Sequence, residues 1–202
     1  MLADSGANEP GAVAGDAALV GRSAALRLLT IGHSNRSLAD FLALLAAHQV
    51  EAVADVRRHP ASRRHPHFAG DALERALRAA GVGYAHIPEL GGMRAPRADS
   101  PHTALADGPF RGYADHTASD EFACGLARLL ALAAVKRSAM MCAEAEPSHC
   151  LRSLLADTLI ARGHAVADIV DAGPARAHRL PAHARVEGES VVYDGSQRRL
   201  PL

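Results

Sequence analysis

Short apolar runs of strand length alternate with longer stretches in which Leu, Phe and Ala recur every three or four positions, and the alternation continues from Leu26 to Val170. The first pattern fits buried strands and the second fits helices packed by one face. Leu26 to Ile31 reads as a strand that stops at Gly32-His33-Ser34. Ser37 then stands where a helix N-cap belongs, with Asp40 in the first turn and Leu38, Phe41, Leu42 and Leu45 on one face. Ala52 to Val56 repeats the strand pattern and leaves through Arg57-Arg58-His59-Pro60, where proline bars simple continuation. A basic loop carries Arg63, Arg64, His65 and His67. Asp71 and Glu74 follow at capping-box spacing before Leu77 and Ala80, and Gly81 ends that helix. Gly83 to Ile87 predicts a third strand, which delivers Leu90-Gly91-Gly92, whose glycines permit a close backbone approach.

From Ala95 to Thr117 there is no clean period, only Pro, Gly, Asp and His. That predicts a long loop of the kind that closes over a site as a lid. Ser119 caps the next helix, whose inner face is Phe122, Leu126, Leu129, Leu130 and Ala133, and Lys136-Arg137 suit the negative end of its dipole. Ala139 to Cys142 is a fourth strand. Pro147 fits the first turn of a helix whose inner face is Leu151, Leu154, Leu155 and Leu159, closed by Gly163. Ala165 to Val170 is a fifth strand, and Val191-Val192-Tyr193 predicts an edge strand. Strands alternating with helices predict an α/β fold, a three-layer sandwich with a mainly parallel central sheet of about five strands. Residues 1–26 predict a flexible tail, ahead of a single domain over 27–202.

Composition narrows the function classes. Lys+Arg and Asp+Glu are both 22, so formal charge is zero, which argues against a protein whose main task is coating nucleic acid or an anionic membrane. Aromatics are 3% with no Trp, too few for a broad stacking platform on single strands. Cys124, Cys142 and Cys150 make an odd, widely set trio that fits a reducing, cytoplasmic setting better than a disulfide framework. The N-terminal residues, with Asp4, Glu9 and Asp16 among Ala and Gly, do not read as a signal peptide, and no apolar run reaches membrane-spanning length.

The chemistry concentrates in Ser138 to Arg152, where an apolar strand runs into polar residues and then a helix. In open α/β sheets such turns lie at the carboxyl ends of strands, where ligands bind, and helix N-termini attract anions. Glu144, two residues after Cys142, is placed to act as a general acid or base, or to accept hydrogen bonds from a ligand's hydroxyls; as a plain helix-entry carboxylate it would duplicate Glu146. Arg57 and Arg152 suit bidentate grip of phosphate or carboxylate, against the alternative of ion pairs to Asp55, Glu144 or Glu89. Asp55 is either the catalytic partner of Glu144 or the orienting partner of Arg57, and His33 either carries a proton or locks its turn. Cys150 is a nucleophile or redox candidate beside a cation, whereas Cys142 reads as an inert strand cysteine. Cys142 and Cys150 lack the ligand spacing of a structural zinc site, and His59, His65 and His67 read as a solvated loop, so no metal is expected.

Five motifs together resemble the bacterial and archaeal domain of unknown function 488 family. They are Thr30-Ile31-Gly32-His33-Ser34; Asp55-Val56-Arg57 with Pro60 and Ser62; Tyr84, His86 and Leu90-Gly91-Gly92; Arg111-Gly112-Tyr113-Ala114-Asp115; and Met141-Cys142-Ala143-Glu144 with Pro147, Cys150 and Arg152. The resemblance implies an α/β fold and marks residues to test without supplying a reaction. Two positions depart from it: Leu151 stands where the family has His between Cys and Arg, and Ser148 where it often has Trp. The missing imidazole counts against any role that needs it, metal binding included.

The expectation is that His33, Ser34, Asp55, Arg57, Gly91, Gly92, Glu144, Cys150 and Arg152 converge at the sheet's carboxyl edge on an anionic small molecule, a nucleotide or a phosphorylated sugar, for acid–base chemistry. The basic loop from Arg57 to His67 supports a rival, a non-catalytic module for nucleic acid or a protein partner, and Cys150 supports a redox or sulfur-transfer protein. The sequence names no cofactor, and a homodimer is as compatible with it as a monomer.

Overall fold

The computed structural model describes residues 25–195. The predicted tail therefore lies outside the described residues, except for its last two. Five strands run parallel: β1 (Arg27–Gly32), β2 (Ala52–Asp55), β3 (Gly83–His86), β4 (Ser138–Cys142) and β5 (Ala165–Ile169). A sixth, β6 (Arg176–Ala177), adds antiparallel to β5, and the order is β3-β2-β4-β1-β5-β6. The predicted edge strand at Val191 to Tyr193 lies elsewhere: β8 (Ser190–Tyr193) pairs with β7 (Ala184–Glu187) in a separate hairpin.

Strand alternation divides the core between two faces. Leu29, Ile31, Val53, Ala139 and Met141 meet α1 (Leu38–Ala47) and α2 (Gly70–Ala79) through Phe41, Leu45, Leu73 and Leu77. Leu28, Ala54, Met140 and Cys142 face α3 (Pro109–His116), α4 (Asp120–Val135) and α5 (Arg152–Ala161) through Tyr113, Phe122, Leu126, Leu154 and Leu155. The result is the expected three-layer α/β sandwich.

The order places the site. Chain leaving β1 leads to α1 on one face, whereas chain leaving the adjacent β4 leads to α5 on the other. Such a point is where open α/β sheets hold ligands.

Several local expectations change. Ser37 and Ser119 do cap α1 and α4, accepting from the N–H groups of Asp40 and Phe122. Asp71 does not cap α2: the helix begins at Gly70 behind Ala69, and Asp71 sits inside its first turn. Pro147 opens a separate 3-10 turn, Pro147–His149, and α5 begins only at Arg152. The segment expected to be a long loop contains α3, whose Gly112, Tyr113 and Ala114 are buried. Tertiary contacts hold α3. Tyr113 Oη donates to the Leu90 carbonyl at 2.8 Å, and a side chain at 112 would lie 2.2 Å from the Arg94 carbonyl. The segment belongs to the helical layer, and no residue from 95 to 117 lines the cleft described next.

Candidate functional site

Where β1, β2 and β4 end, an open cleft of about 740 Å³ is lined by His33, Ser34, Arg57, Gly92 and Glu144 among the expected residues. Its rim is basic: Arg58, His59, Arg63, Arg64 and His65 also line it, and among the described residues Glu144 is its one acidic side chain. The two walls meet closely. Ser34 N–H donates to the Ala143 carbonyl at 2.7 Å, and a Cβ at Gly32 would sit 1.7 Å from the Glu144 carbonyl, so only glycine lets β1 leave beside β4.

Asp55 lies wholly buried at the end of β2 and holds Arg57 by a fork, Nε to Oδ1 at 2.8 Å and Nη2 to Oδ2 at 2.6 Å. The Arg57 backbone N–H at 3.1 Å and Tyr84 Oη at 2.8 Å also donate to Asp55, and Arg57 Nη2 also reaches the Phe68 carbonyl at 2.9 Å. Arg57 Nη1 approaches His33 Nε2 at 3.3 Å, while His33 Nδ1 bonds the Ser34 carbonyl at 2.9 Å. That pair of contacts requires the neutral tautomer with the proton on Nδ1. Burial, opposed by the Ser34 carbonyl and reinforced by the Arg57 charge, pulls His33 down to about 4. His33 also stacks on Phe68, with ring centroids 4.4 Å apart. A guanidinium has five N–H groups. These contacts leave one on Nη1 without a partner among the described residues. Asp55, Tyr84 and Phe68 thus fix a charged fork at the cleft wall.

Glu144 is exposed on the opposite wall, and its carboxylate makes no ion pair among the described residues. Its backbone is fixed from below by Arg152, which is 2% exposed. Arg152 Nη1 donates to the Glu144 carbonyl and to Cys142 Sγ, the latter at 2.8 Å. Nη2 donates to the Ala145 carbonyl at 2.8 Å, and Nε to Thr30 Oγ1 at 3.2 Å. Arg152 therefore clamps the loop after β4 from the α5 face and is absent from the cleft lining. The start of α5 is occupied as well: the N–H groups of Ser153 and Leu154 donate to the carbonyls of Cys150 and Leu151.

Cys150 and Cys142 are buried beside Arg152, not in the cleft. The hydrogen bond between them and the Arg152 charge draw Cys150 down to about 6 against burial, while the same bond and burial push Cys142 well up. Gly91 also serves packing: a Cβ there would lie 2.6 Å from the Arg58 backbone nitrogen. At Gly92 it would lie 2.2 Å from Leu151 Cδ1, so the residue that departs from the family's His packs on the cleft's glycine. No group of three or more His, Cys, Asp or Glu among the described residues is arranged to hold a metal ion.

A model of the family described as Domain of unknown function DUF488 matches residues 37–159. The chain belongs to the DUF488 family. No curated protein and no solved structure matches. The DUF488 match covers Arg57, Gly92 and Glu144 of the cleft, while His33 and Ser34 precede it. No helix of the described residues is long and apolar enough to cross a membrane.

Beneath the α5 face lies a network that the sequence did not announce. Arg152 reaches Thr30, Thr30 Oγ1 donates to Asp168 at 2.6 Å, and His178 bridges Asp168 at 3.0 Å and Asp157 at 2.9 Å. Tyr193 Oη closes the chain on Asp157 at 2.8 Å. Burial would lower His178, but its bonds to the two carboxylates outweigh it and raise it to about 9. The parts come from β1, α5, β5, β8 and the stretch after β6, so no local spacing could have signalled their meeting.

Proposed function

We propose that this DUF488 protein binds an anionic small molecule, a nucleotide or a phosphorylated sugar, in the cleft at the carboxyl ends of β1, β2 and β4, and acts on it by acid–base chemistry. The observation that carries the reading is Arg57, held rigid by buried Asp55 with an N–H left over and facing a cleft whose rim is basic. A preorganised guanidinium loses little freedom when it grips an anion. Arg58, Arg63 and Arg64 add charge at the rim. Glu144 is the proton carrier of this scheme, since Asp55 is committed to Arg57. His33, neutral with its Nε2 beside Arg57, positions that arginine.

Calorimetric titration with inorganic pyrophosphate tests the binding. The wild type binds, and the Arg63→Ala/Arg64→Ala double variant binds about tenfold more weakly at low salt with an unchanged thermal midpoint. Absence of binding at low ionic strength overturns the reading. Glu144→Gln should keep binding and lose any turnover of the bound compound, and a variant as active as the wild type removes Glu144 from the chemistry.

The exposed Arg63, Arg64 and His59 favour one second reading, a non-catalytic nucleic-acid module. It requires an oligonucleotide to bind far more tightly than a mononucleotide, with affinity falling steeply as salt rises.

A further inference from the structure

Among the described residues three non-glycine residues have positive φ, Ser34, Gln49 and Met93, and two of them, Ser34 at 50° and Met93 at 66°, line the cleft. Gln49 needs no functional account, because it directly follows the C-cap of α1. Met93 is also 77% exposed. Scattered apolar residues on a surface are ordinary, and Val135 and Val186, the other large exposed ones among the described residues, lie in the regular elements α4 and β7. Met93 differs in combining exposure, a left-handed backbone and a place on the wall of a basic cleft. Backbone held in such a conformation persists only where its surroundings over-determine it.

The surroundings do so here. Gly91 lies against the Arg58 backbone and its N–H donates to the Pro88 carbonyl at 2.9 Å. Gly92 lies against Leu151, and on the other side Arg94 is forked onto Glu121 at 2.8 and 2.7 Å. The chain is pinned before and after Met93, and the side chain between is left in solvent at the cleft. Ala61 and Ala143 give the cleft further apolar surface.

We propose that Met93 is the apolar contact of this cleft and that the anion bound there carries a flat nucleobase, so that its ligands are nucleotides and not phosphorylated sugars. A thioether is polarisable and makes favourable contacts with aromatic rings, and an unbranched side chain adapts to purines and pyrimidines alike. A sugar phosphate offers hydroxyls to Met93, which has no donor and only a weak acceptor. The assignment rests on the anion-binding reading above and narrows it.

The test titrates AMP, UMP, ribose 5-phosphate and inorganic pyrophosphate into the wild type, Met93→Ala and Met93→Leu. Both nucleotides should bind the wild type more tightly than ribose 5-phosphate. Met93→Ala should weaken the nucleotides about threefold to tenfold, leave ribose 5-phosphate and pyrophosphate unchanged, and keep the thermal midpoint, with Met93→Leu retaining most of the affinity. Nucleotides no tighter than ribose 5-phosphate, or a Met93→Ala variant that weakens all four ligands alike or none, overturn the assignment while pyrophosphate binding still stands. Failure of pyrophosphate to bind the wild type removes the anion reading and this assignment together.

Discussion

Two regions of this protein are each built on one arginine and one histidine, and they use them in opposite ways. At the cleft, Arg57 is anchored by Asp55 yet keeps an N–H to spare, and His33 is held neutral beside it. Beneath the α5 face, Arg152 is buried and turns inward, donating to Thr30, Cys142 and two carbonyls, and His178 is held charged between Asp157 and Asp168. Charge alone therefore does not identify a ligand site. What distinguishes the cleft is that its fixed guanidinium lines open space, whereas Arg152 is closed off from solvent among groups of the protein itself.

The difference is sharpest at Arg152, where the largest effect is expected. Arg152→Met would leave Thr30 and the Glu144 and Ala145 carbonyls short of a donor in a region almost closed to water, and each unsatisfied buried group costs about 1–3 kcal/mol. A loss of about 3 kcal/mol or more in urea unfolding is expected, together with a loosened Glu144 loop. If Arg152→Met instead unfolds within about 0.5 kcal/mol of the wild type and loses pyrophosphate affinity, Arg152 belongs to the ligand site and the contrast between the two regions fails.

Strand parity separates the two arginines that the sequence pairs as anion ligands. Each strand could be read from its own residues, because a short apolar run ending in Gly, Pro or a charged cluster is a local signal. Which strands are neighbours is not local. Asp55 pairs in register with Met141, so it shares a sheet face with Met141 while Cys142 points to the other. Arg57 and Arg152 thus lie on opposite faces, although both follow strands that end at the same edge. The same limit hid α3, whose eight residues carry little helical period and are held by the Leu90 carbonyl and the Arg94 backbone. Met93 directly follows the paired glycines in the sequence, but its exposure and backbone conformation exist only in the folded chain.

The two histidines should show their opposite environments as losses of stability at opposite ends of the pH scale. His178 has a folded value raised from 6.5 to about 9, so its stabilisation is complete below pH 6.5 and is lost as pH rises through about 9. His33 is lowered to about 4, so it contributes nothing above pH 6.5, and the unfolded chain gains the proton preference as pH falls toward 4. Each shift corresponds to roughly 3 kcal/mol in full, and solvent screening of the incompletely buried rings reduces this to on the order of 2 kcal/mol. Unfolding free energies measured from pH 4 to pH 9.5 should show the alkaline slope flattened in His178→Gln and part of the acid slope flattened in His33→Gln. Unchanged slopes in both variants would mean that neither histidine is held as described.

The smallest effect separates holding a side chain from using it. Tyr84→Phe removes one of the bonds to Asp55 but leaves both carboxylate oxygens paired with Arg57, so no buried charge is orphaned. A loss of about 1 kcal/mol in stability follows. Because the fork that aims Arg57 survives, pyrophosphate affinity should change by less than about twofold. A larger loss of affinity than of stability would show that Tyr84 helps set the direction of the guanidinium. The rigid unit behind the cleft would then be Tyr84, Asp55 and Arg57 together, not the ion pair alone.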